Sequence, residues 1–197
     1  IAEPVLLGDQ SAILDTIDEL GLHYEPDIFD PENTDLTGYA DHLFEDRKRK
    51  GYTRSETGKL VRTDSNYLGA VMVDCGDADA LLTGRTYHYP SALRPALQVI
   101  GTAEDAEIAA GVYMLTLENR VVFIADATVN QQPGAEDLEE VAMHTADLAK
   151  DFDVDPRVAL LSYSNFGSVD SEETLKPREA ARRLREREDV DFPVDGE

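Results

Sequence analysis

The chain has one cysteine, Cys75, which excludes an intrachain disulfide and a zinc site built from four thiolates. Its four histidines, at 23, 42, 88 and 144, show no metal-ligand spacing, so no metal site is expected. Cations are scarce: 18 Lys and Arg face 41 Asp and Glu, for a net charge of −23. Only five of the cations are lysines, Lys48, Lys50, Lys59, Lys150 and Lys176. A surface of this sign repels phosphates, so a nucleic-acid binder is excluded. There is no signal-peptide pattern and no apolar run of about 18 residues, the length a spanning helix needs. A soluble, cytoplasmic chain is the expectation.

What is present suits a globular protein. At 197 residues with 42% apolar content, the chain can form one large domain or two small ones with real cores. The acids run along the whole length rather than in one tail. Their mutual repulsion opposes the compact state at low salt, and molar salt shortens its range to about 3 Å. A salt-rich cytoplasm, and hence a halophile, is the expected setting. The chain opens without methionine on Pro4-Val5-Leu6-Leu7-Gly8 and closes where another strand begins, at Val190 to Glu197, so it reads as a piece of something longer.

Strand and helix signals alternate. After Val5 to Leu7, Asp9 or Ser11 can cap a helix with the stripe Ile13, Leu14, Ile17 and Leu20, ended by Gly21. A strand over Tyr24 to Phe29 and the turn Asp30-Pro31-Glu32-Asn33 follow. Helices are expected over Tyr39 to Arg49 and from Ser55 through Cys75, broken near Asp64. Leu68, Val71, Met72 and Cys75 would share one face, making Cys75 a buried structural thiol. Ala78 to Thr83 reads as a buried strand, and Pro95 to Ile100 as part of the next helix. Small and acidic residues from Gly101 to Glu107 mark a boundary. A hairpin then turns at Glu118-Asn119-Arg120, between Val112 to Leu117 and Val121 to Ala125. Pro133-Gly134 opens a helix with the face Leu138, Val141, Ala142, Thr145, Leu148 and Phe152. A buried strand, Val158 to Tyr163, leads to a last helix from about Pro177 to Arg187, with proline in its first turn. The alternation predicts an α/β fold, mostly parallel, with one antiparallel hairpin.

Three places could carry chemistry. Ligands of α/β sheets sit beyond the carboxyl ends of strands. Arg94, between Leu93 and Pro95, is expected near a helix start, where a guanidinium beside free N–H groups clamps an anion. A structural ion pair is the equal alternative. His88 and Tyr89 are expected to pack rather than bind. Ser162, Ser164, Asn165, Gly167 and Ser168 form a small polar loop that can wrap a phosphate, although such loops also serve turn geometry alone. Asp46-Arg47-Lys48-Arg49-Lys50-Gly51 is the one basic cluster of the chain. It reads either as cations at a helix C-terminus or as a well for a polyanion such as CoA.

Two stretches, Gly84 to Gly101 (GRTYHYPSALRPALQVIG) and Arg157 to Ser168 (RVALLSYSNFGS), resemble the phosphate acetyl/butyryltransferase family. More narrowly, they resemble the phosphotransacetylase-like C-terminal region of large NADP-dependent malic enzymes. The likeness extends over Ile1 to Gly8, Gly69 to Leu82, Thr128 to Glu140 and Asp195-Gly196-Glu197, nearly the whole chain. It implies two α/β subdomains, residues 1–104 and 105–197, each cut short at one end, helices on both sheet faces and a cleft between them. Arg47 falls on a family arginine in a Leu-Arg-Lys-x-Lys-Gly segment, and Arg94 on that of Leu-Arg-Pro-Ala. Both are implied to face phosphate or acyl-CoA, with Ser164, Asn165 and Ser168 as further ligand-binding candidates. The departures point to the malic-enzyme branch. Tyr87-His88-Tyr89-Pro90 stands where transferases carry a serine-rich loop. Ser164-Asn165-Phe166-Gly167-Ser168 stands for Ser-Thr-Lys-Gly-Ser, without its lysine. The family's remaining catalytic serine, arginine and aspartate are expected beyond Glu197.

The expectation is therefore a non-catalytic fragment of the regulatory and oligomerising domain of such a malic enzyme, binding acetyl-CoA or a related acyl-CoA. No cofactor is expected in this segment. NADP and a divalent metal would belong to an N-terminal domain that oxidatively decarboxylates malate to pyruvate. A fragment of a phosphate acetyltransferase, moving acetyl between CoA and phosphate, is the enzymatic alternative. A scaffold with no ligand, in which Arg47 and Arg94 are structural, is the third.

Overall fold

The computed structural model describes residues 2–104, 106–165 and 167–196. The chain forms two compact units, residues 1–101 and 102–197, each with its own core. Together they give a mixed α/β fold of seven helices, two short parallel strand pairs and one antiparallel hairpin among the described residues.

In the first unit, β1 (Val5–Leu7) pairs in parallel with β2 (Asp27–Phe29). The crossover between them is α1 (Gln10–Glu19), whose first turn Asp9 caps by accepting the Ala12 N–H at 2.7 Å. Ser11 instead donates its hydroxyl to Asp9. Next come α2 (Thr37–Arg47), a 3-10 turn over Lys48–Lys50, α3 (Arg54–Thr63), α4 (Ser65–Asp74) and α5 (Tyr89–Val99). The expected break at Asp64 is real: this residue ends α3 and caps α4 by accepting from the Asn66 N–H. The core is α4, buried from Asn66 to Met72, with Leu36, Leu43, Val61 and Val99 around it. Gly69 permits that packing, because a Cβ there would meet Leu81 Cδ1 at 2.6 Å.

In the second unit, β3 (Val112–Leu117) and β4 (Arg120–Ala125) form the hairpin, closed by Glu118-Asn119. The next helix, α6 (Ala135–Asp151), begins where Asp137 accepts the Gly134 N–H at 2.7 Å. β5 (Val158–Leu160) pairs in parallel with β6 (Val194–Gly196) across α7 (Glu172–Glu186). Val141, Ala142, Ala146 and Ala149 of α6 and Ala180, Ala181 and Leu184 of α7 are buried. Small side chains bring these two helices close.

Several expectations are corrected. Ala78 to Thr83 is not a strand: it is irregular, Leu81 turning onto the core while Leu82 is fully exposed. Two strands are shorter than expected, because pairing stops at Asp27 in β2 and at Leu160 in β5, leaving Leu161 exposed. Cys75 is exposed rather than buried, since α4 ends at Asp74 and position 75 leaves the apolar face. Phe152 likewise lies beyond α6 and is half exposed, its ring tilted against that of Phe123 with centroids 6.0 Å apart. Both prolines expected at helix starts are interior. α5 begins six residues before Pro95 with Pro90 in its first turn, and α7 begins at Glu172, where Ser171 and Thr174 close the first turn. Each earlier start is set by residues that supply a better helix entry than the interior proline does.

Candidate functional site

The arginine candidates are organised by α5. Arg47 ends α2, and its Nη1 donates to the Gln98 carbonyl oxygen at 3.1 Å. Its guanidinium carbon lies 5.7 Å from the Tyr52 ring centroid, a cation–π distance. Its Nε is buried with no hydrogen-bond partner. Gln98 is the hub: its Oε1 accepts the Tyr67 hydroxyl at 2.6 Å and the Tyr52 hydroxyl at 3.3 Å. The Tyr67 phenol is pushed up to about 12, first by burial and then by Tyr52, while Arg94 pulls the other way. Arg94 therefore acts electrostatically on the same cluster. It sits four residues before Gln98 and so shares its side of α5.

Arg94 is not at a helix start, as the sequence suggested. It lies in the second turn, exposed, with no run of free N–H groups beside it. His88 and Tyr89 are exposed and do not pack into the core. In the basic cluster, Lys48 is bound to Glu45, whereas Arg49 and Lys50 make no ion pair with a described residue.

The serine loop follows β5 in the second unit. Ser162 Oγ accepts the Ser164 N–H at 3.0 Å, and Ser168 Oγ accepts the Asn165 N–H at 3.1 Å. The Ser168 N–H donates back to the Asn165 carbonyl at 3.2 Å, and Gly167 takes φ +72° to make that turn. The hydroxyl oxygens thus hold the loop, while their O–H groups remain able to donate. Phe166, read as the replacement for the family lysine, lies outside the described residues. Arg47 and Arg94 belong to one unit and Ser164, Asn165 and Ser168 to the other, and each group is built within its own unit.

Two concavities of the second unit hold none of these residues. One, of about 410 Å³, lies between β4, α6 and β5. The other, of about 520 Å³, is lined by acids including Glu136, Glu139 and Glu140. Tyr52, Tyr67 and Gln98 are members of the arginine cluster that the sequence reading did not single out. The four-residue spacing from Arg94 was a signal for Gln98, and nothing short-range pointed to the two tyrosines.

A family model described as Phosphate acetyl/butaryl transferase matches residues 1–197. The chain belongs to that family. It is 37% identical over 171 residues to a probable NADP-dependent malic enzyme of Rickettsia prowazekii, a match covering 82% of this chain and 22% of that protein. It is 33% identical over 198 residues to the phosphate acetyltransferase of Bacillus subtilis, covering all of this chain and 61% of that one. Among solved structures, a phosphotransacetylase from Streptococcus pyogenes superposes with a TM-score of 0.84 at 33% identity, over 99% of this chain and 60% of that one. The chain thus spans about a quarter of the malic enzymes it matches, and three-fifths of some phosphate acetyltransferases but just over a quarter of others. No helix among the described residues is long and apolar enough to cross a membrane.

Proposed function

We propose that this chain is part of the phosphotransacetylase-like regulatory and oligomerising domain of a cytoplasmic NADP-dependent malic enzyme, and that it senses acetyl-CoA. The observation that carries the reading is Arg47. Its guanidinium is held in place by Gln98 and Tyr52, yet its buried Nε has no partner. A buried donor without an acceptor is costly, and an anion docking there removes the cost. Arg94, on the same side of α5 as Gln98, and Arg49 and Lys50, which pair with no described acid, add the charge that a CoA with its several phosphates needs. The serine loop supplies O–H donors but no cation of its own in Ser164, Asn165 or Ser168. The sequence has Phe166 where transferases carry the loop lysine, which suits holding a ligand better than stabilising the charge of an acyl-transfer transition state. NADP and a divalent metal belong, on this reading, to the malic-enzyme domain of a longer protein.

A second reading, transfer of acetyl between CoA and phosphate, draws on the comparable identity to phosphate acetyltransferases over the whole chain. Calorimetry with acetyl-CoA tests the binding that both readings require. An assay of acetyl-CoA formation from acetyl phosphate and CoA, run on the full-length parent protein, separates them. Binding without turnover supports the sensor, and robust turnover supports the transferase.

A further inference from the structure

We propose that His42, Asp46 and Asp74 form a binding site for a divalent transition-metal ion of the zinc type, which clamps α2 to α4. It is independent of the acyl-CoA reading. His42 and Asp46 stand four residues apart on α2, on one helix face, and Asp74 ends the neighbouring α4. His42 Nε2 lies 2.6 Å from Asp74 Oδ2 and 3.4 Å from Asp46 Oδ2, and the three ligand atoms all lie within 4.8 Å of one another. Ligands bound tetrahedrally at about 2.0–2.1 Å stand about 3.3–3.4 Å from each other. The His42–Asp46 separation already fits, Asp74 stands less than an ångström too close to His42, and Asp46 and Asp74, within 4.8 Å of each other, reach the same spacing by rotation of two exposed side chains.

The charge pattern favours a cation over a simple interhelical ion pair. Two carboxylates face one imidazole nitrogen, and a neutral ring can donate only one proton through it. No described lysine or arginine pairs with Asp46 or Asp74, although the other acids of α2 have such partners: Arg54 holds Asp41, and Lys48 holds Glu45. A dication would offset both carboxylates at once. One nitrogen and two oxygens suit zinc, cobalt or nickel better than magnesium or calcium, which prefer all-oxygen shells. Three protein ligands leave a position open to water. The histidine spacing could not disclose this set, because two of its three members are aspartates and the third ligand is 32 residues from the histidine.

The test uses the whole chain in molar KCl with Cys75→Ser, so that neither loose counterions nor the thiol produce the signal. Zn²⁺ in about hundred-fold excess over its dissociation constant should raise the melting temperature by several degrees. Asp74→Asn and His42→Gln should each abolish that rise, and Mg²⁺ should not reproduce it. An equal Zn²⁺ response in the two variants, an equal Mg²⁺ response, or no response in the parent would overturn the proposal. Paramagnetic Co²⁺, one of the ions this donor set suits, gives a reading with the unsubstituted ligands that needs no variant. Amide NMR signals should broaden first at positions 42, 46 and 74, and broadening spread evenly over the acidic surface would equally overturn it.

Discussion

Arg47 and Gln98, 51 residues apart in sequence, are joined by a 3.1 Å hydrogen bond from Nη1 to the main-chain carbonyl. The same Gln98 accepts two tyrosine hydroxyls on its side chain, so one residue of α5 fixes the end of α2, the residue after the basic turn, and the core helix α4. These hydrogen bonds tie the cluster together within its own unit, and preorganisation of this kind lowers the cost of binding.

Loss of either arginine should weaken acyl-CoA binding. Hydrogen bonds to charged groups contribute about 1.5–3 kcal/mol, so Arg94→Ala is expected to cost roughly ten- to a hundred-fold in affinity by calorimetry. Arg94→Lys should also bind poorly if the planar fork is used. In a full-length parent, the same change should blunt acetyl-CoA inhibition and leave uninhibited turnover largely intact. Unaltered affinity in the Arg47→Ala, Arg94→Ala double variant would place the ligand elsewhere.

Gln98→Leu separates positioning from contact. It keeps the backbone carbonyl that holds Arg47 but strips the acceptor shared by Tyr52 and Tyr67. Two partly buried hydroxyls left without it should cost about 1–3 kcal/mol of stability in denaturant titration. Affinity should fall less than in Arg47→Ala. A loss as large as that of Arg47→Ala would mean that Gln98 itself touches the ligand.

Local signals were legible where they are local. The hairpin was readable from alternation around a short polar turn, and the Asp64 break from an aspartate that caps one helix as it ends another. The α/β class and the family were readable too. Illegible features depended on tertiary partners. Ala78 to Thr83 has a strand's composition but no strand to pair with, and Cys75 fits a helical face only if the helix continues. The site was half visible: both arginines stood out against the acidic background, but nothing short-range links Tyr52 and Tyr67 to Gln98.

Salt should stabilise this fold. Exposed ion pairs, such as Arg182 with Glu179 and Glu186, contribute little to stability and weaken on screening. The net charge of −23 means that acids without a basic partner dominate, so the relief of their repulsion should win. Thermal melts should give a higher midpoint in molar KCl than in dilute buffer. An unchanged or lower midpoint would refute the halophile reading.

Gly196→Ala should destabilise the second unit. A Cβ on this β6 residue would lie 2.8 Å from Ala181 Cβ, 3.0 Å from Leu160 Cβ and 3.0 Å from the Pro177 carbonyl oxygen. None of these is the free end of a flexible side chain, so α7 must move off the β5–β6 pair. Overpacking of this kind costs about 1–3 kcal/mol. The transition of the second unit should shift, and a variant as stable as the parent would mean that α7 is loosely seated.

Asp126 should give the second unit an acid-sensitive tie. Its Oδ1 accepts the Gly111 N–H at 3.1 Å, the Val129 N–H at 3.0 Å and the Thr128 N–H at 3.3 Å. Its Oδ2 accepts the Asn130 N–H at 2.8 Å and the Asn130 side-chain amide at 2.6 Å, joining the entry of β3 to the exit of β4. Burial alone would raise the carboxyl, but the four main-chain donors outweigh it and hold the group below its ordinary value of 3.8. A depressed folded-state pKa contributes stability above the unfolded value and loses it as pH falls through the folded one. Asp126→Asn should therefore cost about 2–3 kcal/mol at pH 7, since an amide accepts fewer of these bonds and lacks the charge. The gap between parent and variant should stay constant from pH 7 to about 5 and narrow below about 4. Absolute stability is a poor readout here, because protonating other acids also relieves the repulsion of the −23 charge. The difference between the two proteins, measured by denaturant titration at each pH, isolates Asp126, and a gap that does not change between pH 7 and 3 would show that its charge contributes nothing.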